Sequence, residues 1–197
     1  MEIPIFPLNG AVLFPGTSLP LNIFEKRYIE MVDYALSKER CIGMIQSDEK
    51  NKLYNIGCIG KIHSFSETTD GRYLISLQGT NCFKVKKELE KKYKFRLVEA
   101  EMLDFEEDKN IINEKQKNNL LDKYSQYIKV KKIKLNLEEI QNIDFNQIIK
   151  FIAMISPFSD IEKQVLLETK NLSDFYKKLH SILELEIVED NNSKTIN

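Results

Sequence analysis

The chain has 197 residues, 42% of them hydrophobic and 30% charged, which suits one compact domain or two small ones able to bury a core. Its 29 basic side chains are offset by 30 acidic ones, and the formal net charge of −1 excludes a global field drawing it to nucleic acid or anionic lipid. No apolar run approaches the roughly 18 residues of a membrane-spanning helix, and no charged-then-apolar leader precedes Ile3, so cytoplasmic residence without membrane contact is expected.

All seven glycines lie between Gly10 and Gly79 and four of the five prolines at or before Pro20, whereas the rest of the chain keeps only Pro157 as a strong breaker. This shift predicts a β-rich first part and a helical second part. Short apolar segments at residues 3–6, 19–23, 41–45, 56–62, 73–77, 82–85 and 95–102 read as seven strands of a barrel-like sheet. One helix interrupts them. Phe24, Tyr28, Met31, Val32, Ala35 and Leu36 recur at spacings of three and four and form its apolar stripe, with Phe24 expected in the core. Asn22 and Glu25 have the spacing of a capping box, typically worth about 1 kcal/mol. Asp70-Gly71 supplies the positive-φ residue of a hairpin turn, and Tyr73, Ile75 and Leu77 after it share one strand face. In the last strand Phe95 and Leu97 take one face but Val98, Ala100 and Met102 the other, which predicts a bulge near Leu97.

The acidic run at residues 104–108 suits a linker or a first helical turn. Beyond it, residues 111–128 read as a helix with Leu120, Leu121, Tyr124 and Ile128 on one side. A second helix runs from Asp144 as N-cap to Ile155, ahead of Pro157. Ser159 and Glu162 form a capping box for a third, and residues 172–188 carry a fourth stripe through Phe175, Leu179, Ile182, Leu183 and Ile187. The expected organisation is a β-rich unit over residues 1–105, a four-helix bundle over 106–190 and a polar, frayed tail over 191–197.

Motifs for catalysis are missing. The chain has no Gly-rich phosphate loop, no Gly-x-Ser-x-Gly elbow and no paired His/Cys ligands; His63 and His180 are far apart. No cofactor, metal or catalytic residue is therefore expected. Cys41, Cys58 and Cys82 are an odd, widely spaced set in strand-like segments and read as buried free thiols. Glu25 and Arg27 are read as a charge pair fixing the first helix. The lysine-rich residues 84–94, with Tyr93 and Phe95 available for base stacking, suggest a basic groove, but Glu88 and Glu90 interrupt it and a solvated hairpin face is preferred. The basic run 129–134 complements a helix end.

The proline-flanked segment Ile3-Pro4-Ile5-Phe6-Pro7-Leu8, then Val12-Leu13-Phe14-Pro15-Gly16 and Leu19-Pro20-Leu21-Asn22-Ile23-Phe24-Glu25-Lys26-Arg27-Tyr28, resembles the opening of the Lon N-terminal domain, the substrate-recognition part of the Lon ATP-dependent proteases. Gly57 within Ile56 to Ile62, the turn Asp70-Gly71 and Gly79 continue the likeness, as does Glu162-Lys163-Gln164-Val165-Leu166-Leu167-Glu168 near the end. Cys82 departs from it, standing where many relatives carry a basic residue. The resemblance implies an α+β fold, a PUA-like pseudo-barrel with one helix followed by a helical bundle. In it Pro7, Phe14, Pro15, Phe24, Glu25, Arg27, Tyr28, Gly57, Asp70, Gly71 and Gly79 are structural signature positions. The implied function is non-catalytic binding of unfolded or partly folded polypeptides, as an adaptor, holdase or regulator working beside a protease or chaperone. The alternative is RNA binding, since PUA-like folds include RNA readers. The ATPase and Ser-Lys protease modules of intact Lon are expected to be absent. The outward face of the first helix, Lys26, Arg27, Glu30 and Asp33, is the expected peptide-contact rim.

Overall fold

The structure, a computed structural model, describes residues 1–48, 50–90, 92–105, 112–135 and 143–195, with 190–195 given by their backbone. In chain order the elements are β1 (Glu2–Pro7), β2 (Ser18–Ile23), α1 (Lys26–Leu36), β3 (Cys41–Ile45), β4 (Ile56–Glu67), β5 (Tyr73–Glu88), β6 (Arg96–Leu103), α2 (Glu114–Val130), α3 (Phe145–Ile155), α4 (Asp160–Leu167) and α5 (Leu172–Thr195). They form two compact units, Met1–Phe105 with Met154–Glu168 and Glu106–Ala153 with Thr169–Asn197.

In the first unit the strand order is β2-β5-β4-β3-β1-β6, and a further β5–β6 pairing closes the sheet on itself. β1 runs parallel to β3 and antiparallel to β6. Closure depends on β5. Its first half pairs with β2 while residues 82–88 pair with β6, so one strand serves both the ring and an outer ribbon. Inward residues of the ring, Ile3, Ile5, Ile45, Ile59, Phe83, Val98 and Ala100, pack into a core. A fully buried Phe83 alone is worth roughly 1.5–3 kcal/mol of transfer free energy. α1 packs on β1 and β3 through Tyr28, Met31, Val32 and Ala35.

Six strands replace the expected seven, because residues 73–77 and 82–85 belong to the one strand β5. Gly79 is not a break between them but a point of close approach: a Cβ there would run into the Phe14 carbonyl oxygen. The Phe14–Thr17 turn sits on it, with Gly16 N–H donating to the Gly79 carbonyl at 2.9 Å and Gly79 N–H to the Thr17 carbonyl at 2.8 Å. The turn is closed by the Thr17 hydroxyl, which donates to the Phe14 carbonyl at 2.8 Å. The Asp70-Gly71 hairpin forms as expected, Gly71 having φ +79°.

The start of α1 corrects the sequence expectation. Asn22 lies in β2, the N-cap is Glu25, and its side chain makes no capping bond but pairs with Arg27 at 2.9 Å. Phe24 is 68% exposed rather than in the core. It precedes the helix and so follows strand alternation: Ile23 takes the inward position and Phe24 the outward one. The expected bulge near Leu97 is displaced as well. β6 stays in register with β1 through Pro4↔Leu97 and Ile3↔Val98, and the irregularity is on the facing strand, where Lys86 is the extra residue between Val85↔Ala100 and Lys87↔Glu99. Leu97 is buried on the side of the ring that it shares with Tyr34, Leu89 and Tyr93, and Met102 is exposed.

α4 was expected among the bundle helices, yet its contacts put it in the first unit. Its Ser159–Glu162 capping box is present. Lys163 Nζ donates to the Gly10 carbonyl at 2.9 Å, and Gln164 Nε2 to the Ile56 carbonyl at 3.1 Å. Gln46 Nε2 donates to Gln164 Oε1 at 3.0 Å and to the Asp160 carbonyl at 2.9 Å. Burial lowers the Lys163 pKa, opposed by nearby Asp160.

In the second unit α2 begins at an Asn113–Gln116 capping box and packs on α5. Leu120, Tyr124, Tyr127 and Ile128 are buried on α2, as are Phe175, Leu179, Ile182 and Leu183 on α5. Lys123–Glu184 at 3.0 Å and Lys131–Glu186 at 2.7 Å tie their margins. α3 buries Ile148, Ile149 and Ile152, with Asp144 accepting at its N-terminus as expected. α5 continues to Thr195, past the expected end at 188. Ile111, Glu106, Glu107 and Asp108, expected in a helix start or linker, lie outside the described residues, as do 196–197.

Candidate binding groove

β1 is hydrogen-bonded on both sides, Ile5 facing Gly43 on one neighbour and Arg96 on the other, so its end brings three distant loops together. Pro7 ends the strand; Leu8 N–H still reaches the Ile45 carbonyl at 2.9 Å, and Asn9 Oδ1 accepts from Ser47 N–H at 2.9 Å. Between these loops lies an open groove of about 950 Å³, lined by residues 5, 7–9, 27–28, 47, 51, 88 and 93–96.

Its apolar lining is Ile5, Pro7 and Leu8 with three aromatic residues, of which Tyr93 is partly exposed and Tyr28 and Phe95 are buried. Tyr28 lies against Phe6 with centroids 4.3 Å apart, and Tyr93 stacks on Phe95 at 4.9 Å with 12° between the planes. Tyr34 abuts both of the latter, at 5.1 and 5.4 Å. Burial raises the Tyr28 phenol pKa above its usual value, with Arg27 opposing, so the hydroxyl stays a neutral donor. The Arg27 guanidinium sits 4.5 Å over the Tyr28 ring.

The polar rim is a set of ion pairs. Arg96 forks onto Glu88 with bonds of 2.7 and 2.6 Å and donates to the Asn51 carbonyl at 3.2 Å, joining both ends of the β5–β6 connection to the β3–β4 loop. Arg27 meets Glu25 at 2.9 Å, and Lys94 is 3.8 Å from Glu30. Each cation of the groove thus faces a carboxylate. Solvent-exposed pairs of this kind contribute roughly 0–1 kcal/mol, so they shape the rim more than they stabilise the fold. The arrangement can take up a ligand by covering the partly exposed Pro7, Leu8 and Tyr93 and exchanging hydrogen bonds at the rim. No group of three or more metal-ligating side chains is found among the described residues, and His63 lies exposed on β4.

Of the rim expected on α1, Arg27 lines the groove and Glu30 touches it through Lys94. Asp33 instead accepts a 3.0 Å hydrogen bond from the Tyr73 hydroxyl, and Lys26 is exposed outside the groove lining. Several of the signature positions have local explanations. Phe14 and Pro15 build the turn held on Gly79, and Gly57 lies where a Cβ would strike the Met44 carbonyl and the Phe83 ring. Asp70 accepts from Arg72 at 2.8 Å in the hairpin, and its carboxyl pKa is lowered by hydrogen bonds from Thr68 and Arg72. In the sequence Tyr93 and Phe95 stand out within the lysine-rich run and Pro7 as a signature position, but Asn9, Ser47 and Asn51 carry no signal. Their meeting comes from strand pairing between segments about 40 to 90 residues apart in the chain.

A closed barrel carrying α1, with a groove rimmed by paired charges at the end of β1, defines a mixed α/β fold. The family model of the ATP-dependent protease La (LON) substrate-binding domain matches residues 2–184, and the chain belongs to that family. It is 27% identical over 201 residues to the Lon protease of Buchnera aphidicola subsp. Baizongia pistaciae, covering 95% of this chain and 25% of that protein. It is also 27% identical over 200 residues to the Lon protease of Dictyoglomus thermophilum, with the same coverage. The chain thus spans about a quarter of the length of these relatives. Its fold is similar to the crystal structure of a Lon N-terminal domain protein from Xanthomonas campestris, with a TM-score of 0.69 and 19% identity over 93% of this chain and 98% of that one. The N-terminal domain of the Mycobacterium avium complex Lon protease gives a TM-score of 0.63 and 15% identity over 95% and 98%. No helix among the described residues is long and apolar enough to cross a membrane.

Proposed function

We propose that this chain is a non-catalytic polypeptide-binding module that engages unfolded or partly folded segments, serving as an adaptor, holdase or regulator in proteolysis. The observation that carries the reading is the groove: Pro7, Leu8 and Tyr93 offer partly exposed apolar surface beside the buried Tyr28 and Phe95, while every rim cation is already paired. Such a site takes up a chain by burying side chains, without demanding a particular charge. Strand addition is the weaker route. β2 pairs with β5 alone among the described strands, and its residue Pro20 lacks the N–H that an added strand needs.

The test is a peptide-array profile of the wild type beside Tyr93→Ala and the double reversal Lys26→Glu/Glu30→Lys. Tyr93→Ala is expected to weaken most bound peptides, and the reversal to change which peptides bind with the melting temperature nearly unchanged. Unchanged profiles in both would remove this face from the reading. The partly exposed Tyr93 beside Lys94 and Arg96 also favours, as a second reading, single-stranded RNA. Affinity for an RNA pool that falls steeply with added salt would favour it over polypeptide. Purified protein is expected neither to hydrolyse ATP nor to degrade casein.

A further inference from the structure

Cys58 of β4 and Cys82 of β5 stand directly opposite each other in the antiparallel ladder, beside the pairs Gly57↔Phe83 and Ile56↔Lys84. The type of this pair follows from a neighbouring bond. Val85 N–H donates to the Asn55 carbonyl at 2.8 Å, so 55/85 and 57/83 are hydrogen-bonded positions and 56/84 and 58/82, by alternation, are not. Cα atoms of non-hydrogen-bonded pairs lie about 4.5 Å apart with their side chains at closest approach. That falls within the roughly 4.4–6.8 Å that a disulfide spans.

Both thiols point away from the barrel interior, because the alternate residues Ile59 and Phe83 fill it. On their side of the sheet, Cys82 Sγ–H donates to the Leu167 carbonyl at the end of α4, 3.7 Å away. Cys58 is fully buried, whereas Cys82 is partly exposed. Cys41 is remote from the pair: it faces Lys61 on the β3–β4 ladder, three positions along from the Met44↔Cys58 pair.

We propose that Cys58 and Cys82 are a redox-active pair that closes to an intrachain disulfide when the protein meets a small-molecule disulfide such as oxidised glutathione. The more accessible Cys82, as thiolate, attacks one glutathione sulfur; the glutathione S–S bond breaks, and one glutathione leaves as its thiol. Cys58, deprotonated in turn, attacks Cys82 Sγ, which breaks the mixed disulfide and releases the second glutathione thiol. The protein gives up two electrons and two protons, all carried away on the two thiols. Closure also removes the Cys82 S–H that bonds the Leu167 carbonyl, so oxidation of the ladder is felt at the end of α4.

The experiment exposes folded Cys41→Ser protein to oxidised glutathione, alkylates remaining thiols under denaturing conditions, digests without reductant and maps the peptides by mass spectrometry. The expected product is a Cys58–Cys82 linked pair, lighter than the two thiol peptides by two hydrogens, restored by dithiothreitol and absent from the Cys82→Ser variant. Hydrogen exchange at the end of α4 is expected to rise in the oxidised protein. Full alkylation of Cys58 after this treatment, or Cys82 recovered only as a glutathione adduct or as an intermolecular dimer, would overturn the proposal.

Discussion

Gly79→Ala isolates the contact that lets β5 serve both the ring and the ribbon. The added methyl meets the backbone carbonyl of Phe14, which no rotamer change can relieve, so the Phe14–Thr17 turn must lift from the sheet. Lifting breaks the Gly16–Gly79 and Gly79–Thr17 hydrogen bonds, each worth about 1 kcal/mol net. It also exposes part of Phe14, now 1% accessible, at a cost of roughly 1.5–3 kcal/mol for the whole side chain. The sum is about 2–5 kcal/mol, the upper end applying if the whole Phe14 side chain is exposed. Gly71→Ala is the control: Gly71 has φ +79° but open space around it, so only the conformational strain of about 1–2 kcal/mol applies. Urea unfolding followed by far-UV circular dichroism and by tyrosine emission, in a chain with eight Tyr and no Trp, measures both variants. A loss at Gly79 no larger than that at Gly71 would refute the close-approach argument.

Phe24→Ala is expected to change stability by less than about 0.5 kcal/mol, because the ring is 68% exposed; a loss near 3 kcal/mol in a melt would return Phe24 to the core. Gln164→Ala strips the Ile56 carbonyl and the Gln46 amide of a buried partner and should cost about 2–3 kcal/mol in urea titration. Glu184 has its carboxyl pKa lowered by the Lys123 hydrogen bond and charge and then by His180. The folded state therefore binds fewer protons there, and its contribution, present above the unfolded value near 4.3, is lost as pH falls through the folded pKa. Glu184→Gln should accordingly flatten the acid limb of a stability–pH curve, and an unaltered limb would show the pair to be idle. With a proposed boundary near residue 105, limited proteolysis should cut first between about residues 103 and 117 or in the C-terminal tail; first cuts within β5 would argue against that division.

The features legible in the sequence are those whose cause lies within a few residues. Ser159 and Glu162 cap α4, Asp144 starts α3 and Asp70-Gly71 turns the β4–β5 hairpin because each bond closes over one to four residues. Apolar spacing likewise marked the buried faces of α1, α2 and α5. Periodicity shows that a face is buried but not what covers it, which is why α4 read as a bundle helix although Lys163 and Gln164 anchor it to the barrel unit. Phe24 matched the helical stripe in spacing, and only the point where β2 yields to α1 decided that it faces solvent. The groove lay furthest from reach. Its residues 5, 7–9, 47, 51 and 93–96 meet through the parallel β1–β3 and antiparallel β1–β6 registers, and long-range register is set by the packing of the whole barrel core rather than by any local preference.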